Sequence, residues 1–182
     1  AENVENHGVI ETPEGQTILA AGSKVYLAVG DDPSLRGFLV EVDNGGTATN
    51  TGRILAERGN VSVAGLTVNQ LGRVTATSSV NLNGSIRLLA RDSASSYTPL
   101  GTERAIPLGT STGTLVLGAN STTEVLPDAT DSKTLTDEQA FNRSRIEGVG
   151  RTVHVQGGAL VRANGGVIDL SAQAGRSPRG GA

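Results

Sequence analysis

Apolar and polar positions along this chain repeat a short rhythm. GRILAERGNVSVAG, Gly52 to Gly65, opens on a glycine, sets Ile54 and Ala56 two apart, turns through polar residues and resumes with Val61 and Val63. GRVTATSSVNLNG, Gly72 to Gly84, repeats it with Val74/Ala76 and Val80/Leu82, and the third pairs of the two copies are Leu66/Val68 and Ile86/Leu88. An earlier copy, GVIETPEGQTILAAGSKVYLAV, places Ile10 and Thr12 before the corner Pro13-Glu14-Gly15. Thr17 and Leu19 come after it, and Val25, Leu27 and Val29 form a third run. Later copies give Leu115/Leu117 with Thr123/Val125, and Val161/Ala163 with Ile168/Leu170.

Alternation of period two over such short runs predicts strands with one buried face, and corners of Gly, Asn, Ser and Pro-Glu turn the chain at little cost. Gly52 and Gly72 start copies about 20 residues apart, a spacing that signals a solenoid. Three strands and three corners per copy make one coil of a parallel β-helix, an all-β fold whose inward positions stack in ladders. A sandwich needs no equal repeat and buries larger aromatics, and a propeller blade is longer and carries aromatic signatures. Leucine-rich repeats require a Leu framework and an Asn ladder, neither of which the alignment shows. Residues 1–182 are therefore expected to form a single β-helical segment. With no cap evident at either end, it reads as part of a longer rod.

Three stretches break the rhythm. Asp31 to Asn50 holds one strand, Phe38/Val40/Val42, and reads as a less regular coil. Asp92 to Thr112 reads as loop with an extended piece near Ile106 and Leu108. Residues 127–150 form the largest insertion, in which Thr136-Asp137-Glu138-Gln139 fits a capping box. Acidic residues first and Arg143 and Arg145 last suit a helix dipole, predicting a short helix over 137–145 with Phe141 packing it down. Residues 176–182 are expected to be a disordered tail.

Composition sharpens this picture. The chain lacks Cys, Met and Trp and has two Tyr, two Phe and 25 Gly, so its core must be aliphatic layers. Without cysteine there is neither a disulfide framework nor a thiolate metal site, which suits export through an oxidising compartment. A net charge of −3 gives no electrostatic case for nucleic acid. No apolar run is long enough for a transmembrane helix, so membrane insertion is not expected.

The candidate chemistry is sparse. His154 alternates outward between Val153 and Val155, and His7 lies in a polar corner; two isolated histidines do not make a zinc site. Glycoside hydrolysis needs two facing carboxylates, whereas the stackable corner positions hold Glu14, Arg58 and Ser78, a mixed set that reads as solvation. Asp128, Asp131, Asp137 and Glu138 lack the spacing of a calcium loop, and Gly165 to Asp169 lacks the β-roll calcium repeat. Sequons at Asn60, Asn83, Asn120 and Asn142 matter only if the source glycosylates its surface proteins. Tyr26 and Tyr97 are too few for an aromatic sugar platform. No catalytic, cofactor or metal residue is assigned, and no enzymatic activity is expected.

The units GVIETPEGQTILAAGSKVYLAV, GRILAERGNVSVAGLTVNQLGRVTATSSVNLNGSIRLLARD, GTLVLGANSTTEVLPD and GALVRANGGVIDLSAQAG together resemble filamentous haemagglutinin-type exoproteins, exported by two-partner secretion. The resemblance spans most of the chain and is weakest from Asp31 to Asn50. It implies a right-handed parallel β-helix, secreted or held at a bacterial cell surface. It also implies an outer-membrane transporter as export partner, and a host receptor or glycan as a partner of the rod. Members act as adhesins, biofilm factors or shafts displaying a carboxyl-terminal toxin. The Asn-Pro-Asn motif of the family's secretion domain is missing, so the resemblance is to the shaft downstream and no functional residue carries over. A polysaccharide-binding or polysaccharide-cleaving β-helix is the rival expectation.

Overall fold

Alternating apolar residues and glycine corners close into successive circuits of three strands each. A computed structural model describes residues 1–29, 37–98, 105–132, 143–173 and 175–176. The first circuit is β1 (Asn3–Asn6), β2 (Val9–Glu11) and β3 (Gln16–Ala20), followed by a pair, β4 (Gly22–Val29) and β5 (Phe38–Gly45). The second is β6 (Thr47–Asn50), β7 (Arg53–Ala56) and β8 (Asn60–Gly65); the third is β9 (Thr67–Gln70), β10 (Arg73–Ser78) and β11 (Ser85–Ala90). After β12 (Asp92–Tyr97) and β13 (Ile106–Ser111) come β14 (Thr114–Leu117), β15 (Thr122–Pro127) and β16 (Arg145–Gly150). The fifth circuit is β17 (Thr152–Val155), β18 (Leu160–Ala163) and β19 (Val167–Ala172), and β20 (Gly175–Arg176) ends the described chain. Among the described residues the fold is all-β, with no helix.

The first, second and third strands of the five circuits stack into three parallel five-stranded sheets, each in the same spatial order. The register aligns the inward pairs of the sequence pattern. Ile10, Ile54, Val74, Thr123 and Val161 form one row of the second sheet. Thr17, Val61, Ile86, Ile146 and Ile168 form one row of the third. Between the sheets lies one continuous aliphatic core, including Ala48, Ile54, Val68, Ile86, Leu88, Leu115 and Ile146. Like residues in like places pack as layers, which is why the core dispenses with large aromatics.

At the corner between first and second sheets the core turns polar. Asn6 donates to Asn50 at 2.8 Å, Asn50 donates to Gln70 at 2.8 Å, and Gln70 donates to the carbonyls of Gly72 and Thr122, each at 3.0 Å. The alignment did not reveal this short buried amide ladder of two Asn and one Gln, which in the same row gives way to Leu117 and Val155. Two residues beyond each amide stands the corner glycine: Gly8, Gly52 and Gly72. A β-carbon on Gly72 would collide with the carbonyl of Gly52, whose oxygen accepts from Arg73 N at 2.9 Å. Only glycine lets the corners at 52 and 72 stack at strand spacing, while a β-carbon at Gly8 of the first circuit would meet no clash.

The expected spacing of about 20 residues holds between the second and third circuits and, at 22 from Arg145 to Val167, between β16 and β19. Asn50 and Gln70 are 20 positions apart, but Asn6 and Asn50 are 44 apart and Glu124 and Arg162 are 38 apart. Insertions account for the difference. Of the stretch expected to be an irregular coil, residues 31–36 lie outside the described residues, Phe38–Gly45 is β5, antiparallel with β4, and Thr47–Asn50 is the coil strand β6, so Val25, Leu27 and Val29 are not a third coil strand. Their alternation is that of a hairpin with a half-exposed edge. Likewise the described residues of Asp92 to Thr112 are not mainly loop: β12 pairs antiparallel with β13, which contains the expected extended piece, β13 pairs with β20, and residues 99–104 lie outside the described residues. Val80 and Leu82 fall between strands, and Ile86 and Leu88, placed in a third run by the alignment, pair with Val61 and Val63 of the second. An extra turn after Ser78 shifts the phase. The expected helix over 137–145 lies mostly outside the described residues, and at its end Arg143 and Ser144 are not helical while Arg145 opens β16. Of the expected tail, Arg176 pairs with Thr110 and the rest lies outside the described residues.

Strand β5 lies on the outer face of the third sheet, where Val40 and Val42 pack with Ala64, Leu89, Ile18 and Ala20 as a second small core. Strands β8 and β11 are consequently buried on both faces. By contrast β6, β9 and β14 of the first sheet alternate buried with half-buried residues, as a sheet with one solvent-facing side should.

Candidate functional site

Chemistry-bearing side chains gather on the outside of the stack, where register sets them in rows. Between the inward pairs of the second sheet, Glu11, Leu55, Thr75, Glu124 and Arg162 share one outward row. Glu124 is 1% exposed and accepts from Arg73 at 2.5 Å, Arg162 at 2.6 Å and Thr75 at 3.2 Å. Burial pushes its carboxyl upward, but the hydrogen bonds from Arg162 and Arg73, with the charge of Arg73, outweigh this and hold it below the usual range. It is an ionised cross-link over three circuits, unsuited to proton delivery near neutrality.

A second cluster stands at the next corner. Glu14 and Arg58 occupy matching turn positions with positive φ of 56° and 50°. Arg58 reaches Glu14 at 3.0 Å and Asp128 at 3.1 Å. Asp128 also accepts from Thr130 Oγ1 at 2.7 Å and Thr130 N at 2.9 Å, and these bonds, followed by the Arg58 charge, lower its pKa against the opposing effect of burial. Glu14 and Arg58, expected as plain solvation, are thus an ion pair. Ser78, the third member of that set, instead hydrogen-bonds Ser144 and accepts from Gly84 N.

The third arrangement anchors β5. Glu41 and Arg91, 1% and 2% exposed, meet at 2.7 Å, and Glu41 Oε2 and Arg91 Nε lack hydrogen-bond partners. A β-carbon on Gly109 of β13 would strike Glu41 Oε2, so the glycine admits the carboxylate. Gly45 N donates to Asp92 at 2.7 Å, tying the end of β5 to β12.

The remaining candidates stay apart. His154 is exposed on the first sheet. His7 is exposed too, contacting Glu5 at 2.9 Å and Thr51 at 2.6 Å. Asp131 accepts from Val80 N at 3.1 Å and its own N donates to the Asp128 carbonyl at 3.2 Å, while Asp137 and Glu138 lie outside the described residues. Among the described residues no group of His, Asp and Glu could hold a metal ion. Asn60 and Asn83 are buried, accepting from Ser85 and donating to the Arg143 carbonyl respectively, so neither presents its amide to a glycosylating enzyme. Asn120 is exposed, with φ of 60°, and Asn142 lies outside the described residues. Tyr26 is half-buried on β4 and Tyr97 is on β12, strands of different sheets.

The open face of the first sheet carries Asn3, Thr47, Thr67, Thr114 and Thr152 in one outward row, half-buried or exposed. Neither this row nor the Glu124 cluster stood out in the sequence reading. Both follow from it, being the outward positions that flank the aligned inward pairs. Nothing local to Glu41 or Arg91 announces their pairing, which depends on the hairpin folding back across the third sheet. No family model, curated protein or solved structure matches the chain.

Proposed function

We propose that this chain is a shaft segment of a large secreted bacterial surface protein of the filamentous haemagglutinin type, a right-handed parallel β-helix whose work is structural and adhesive. The observation that carries the reading is the continuity of inward rows through all five circuits despite insertions of unequal length. Such a stack gives reach along one axis, and its insertions and open face give contact surface for host cells, biofilm or neighbouring cells. Handedness follows from the general rule for parallel strand connections. In this reading a partner transporter in the outer membrane exports the full-length protein and coils fold as they emerge. The lowered pKa values of arginine-bound Glu124 and Asp128 favour a scaffold over a glycoside-hydrolysing site, whose general acid is a protonated carboxyl.

The test pairs adhesion with turnover. Beads coated with the purified chain are expected to adhere to host cells or biofilm. Incubation with a polysaccharide panel is expected to leave every polymer intact. Release of oligosaccharide from any of them overturns the reading in favour of a carbohydrate-active β-helix.

A further inference from the structure

The triplets Asn6-His7-Gly8, Asn50-Thr51-Gly52 and Gln70-Leu71-Gly72 turn the corner between the first and second sheets. Their first residues form the buried amide ladder, and their middle residues, His7, Thr51 and Leu71, are exposed in successive circuits. Thr51 N donates to the Asn6 carbonyl at 2.9 Å and Leu71 N to the Asn50 carbonyl at 2.8 Å, so the three middle residues follow one another along the stack. Thr51 has a described circuit on each side and is exposed between them.

Two of these residues meet. His7 Nδ1 lies 2.6 Å from Thr51 Oγ1, and His7 Nε2 lies 2.9 Å from Glu5 Oε2. A carboxylate only accepts, so the ring proton sits on Nε2 and Nδ1 accepts from the Thr51 hydroxyl. The other acceptor of that hydroxyl, the Asn6 carbonyl, is farther away at 3.3 Å. Hydroxyl, imidazole and carboxylate thus stand as nucleophile, base and orienter, each within hydrogen-bond reach of the next. His7 and Thr51 are 44 positions apart, which hid the arrangement from the sequence.

We propose that Thr51 is a nucleophile for acyl transfer from small aliphatic esters, with His7 as its general base and Glu5 as the positioning residue. In the first step the Thr51 proton passes to His7 Nδ1 while Oγ1 bonds to the ester carbonyl carbon. The bond from that carbon to the alcohol oxygen then breaks, and the alcohol leaves with the proton from Nδ1, giving an ester of Thr51. Water repeats the sequence. His7 takes a proton from it, its oxygen bonds to the acyl carbon, and Thr51 recovers that proton as the carboxylic acid departs. Leu71 is 41% exposed and lies one strand spacing, about 4.8 Å, beyond Thr51, offering apolar surface to the acyl chain. Thr51 N and Gly52 N both donate to the Asn6 carbonyl, at 2.9 and 3.0 Å, so neither is free to hold an oxyanion. The site therefore suits activated esters with good leaving groups and turns over slowly. Ester cleavage opens no glycosidic bond, so this chemistry is independent of the shaft reading.

The test uses the purified chain and para-nitrophenyl butyrate. Nitrophenolate release is expected to exceed that of His7→Gln by about tenfold to a hundredfold. After an acid quench, peptide mass mapping is expected to find one butyryl group on Thr51. Thr51→Val should remove that adduct and lower the rate as far as His7→Gln does, and Leu71→Ser should reduce the preference for butyrate over acetate. Glu5→Leu should lower the rate and replace the single Nε2–H tautomer of His7 with a mixture in nitrogen NMR spectra. Glu5→Gln, which keeps an accepting oxygen, should restore the tautomer. His154→Gln, at an exposed histidine of the first sheet, should change nothing. The positions altered are all exposed, and circular dichroism is expected to be unchanged throughout. Absence of the Thr51 adduct, a Thr51→Val rate equal to that of the unmodified chain (the imidazole acting alone), or full acylation of Thr51 in His7→Gln would each overturn the proposal.

Discussion

Replacing Asn50 by leucine isolates what the buried amide ladder contributes. Asn50 is 1% exposed; its oxygen accepts from Asn6 and its amide nitrogen donates to Gln70, both at 2.8 Å. Leucine is close in size, so neither a cavity nor overpacking dominates. The substitution leaves Asn6 Nδ2 with only a 3.5 Å contact to the Arg53 carbonyl and takes from Gln70 Oε1 the donor it has. Two buried polar groups stranded at about 1–3 kcal/mol each give a loss of about 2–6 kcal/mol. In a chain of this length the melting temperature should fall by roughly 10 °C. The same row continues with Leu117 and Val155, so an apolar column is compatible with this corner. A triple variant, Asn6→Val, Asn50→Leu and Gln70→Leu, removes the stranded side-chain amides; the Gly72 carbonyl keeps the Thr122 amide at 3.0 Å, and Gly8 N, which loses Asn6 Oδ1, belongs to an exposed residue. It should therefore be more stable than Asn50→Leu alone, in urea unfolding followed by far-ultraviolet circular dichroism. A single-variant cost under about 1 kcal/mol, or a triple variant no more stable than the single, refutes the reasoning.

Other substitutions test the remaining elements. Gly72→Ala forces a β-carbon against the Gly52 carbonyl and should leave little folded protein, whereas Gly157→Ala, with open space around its α-carbon, should be close to neutral; soluble yield and melting temperature distinguish them. Arg91→Met strands a buried Glu41 and should cost about 3–5 kcal/mol in urea unfolding. Glu41→Met with Arg91→Met should recover much of it, with hydrogen exchange in β4 and β5 reporting whether the pair re-docks. Glu124 and Asp128 have folded-state pKa values below their ordinary 4.5 and 3.8. Below those values the unfolded chain binds more protons, so their stabilisation is complete above about pH 5 and is lost as pH falls through the folded values. Glu124→Gln should flatten the acid limb of a stability-versus-pH curve, and an unchanged limb would count against the cluster.

The sequence made the inward rows legible because burial imposes a period that composition cannot disguise. Ile54/Ala56, Val74/Ala76, Thr123/Val125 and Val161/Ala163 align in the structure as they do on paper. What failed was phase after an insertion. Six residues between β10 and β11 displaced Val80 and Leu82 from the pattern, and the β4–β5 hairpin imitated a coil because an antiparallel strand alternates with the same period. Direction of pairing leaves no trace in period-two alternation. The amide ladder did leave a signal, an Asn or Gln two residues before the corner glycine in Asn6-His7-Gly8, Asn50-Thr51-Gly52 and Gln70-Leu71-Gly72. It was overlooked because its copies are unequally spaced.

Unequal spacing is itself informative about where such a chain can change. An inward residue must match its neighbours above and below, so an inserted residue within a strand would flip every later side chain to the other face. At a corner, the chain can leave and return with all rows intact. The described insertions obey this: β4–β5 and β12–β13 depart between a third-sheet strand and the next first-sheet strand, and the segment after β15 departs before β16. Their charges also stay outside the stack, buried at Glu41–Arg91 and half-buried at Arg58–Asp128, where they fix an excursion to the scaffold without entering the aliphatic core. One consequence is an asymmetry of surfaces. The third sheet is sealed by β5 on its outer side, while the first sheet keeps its threonine row facing solvent. The first sheet thus offers an open face with an uncharged threonine row, and substitutions at Thr67 and Thr114 should alter adhesion without altering stability. Equal loss of both would place the threonine row among the structural elements instead.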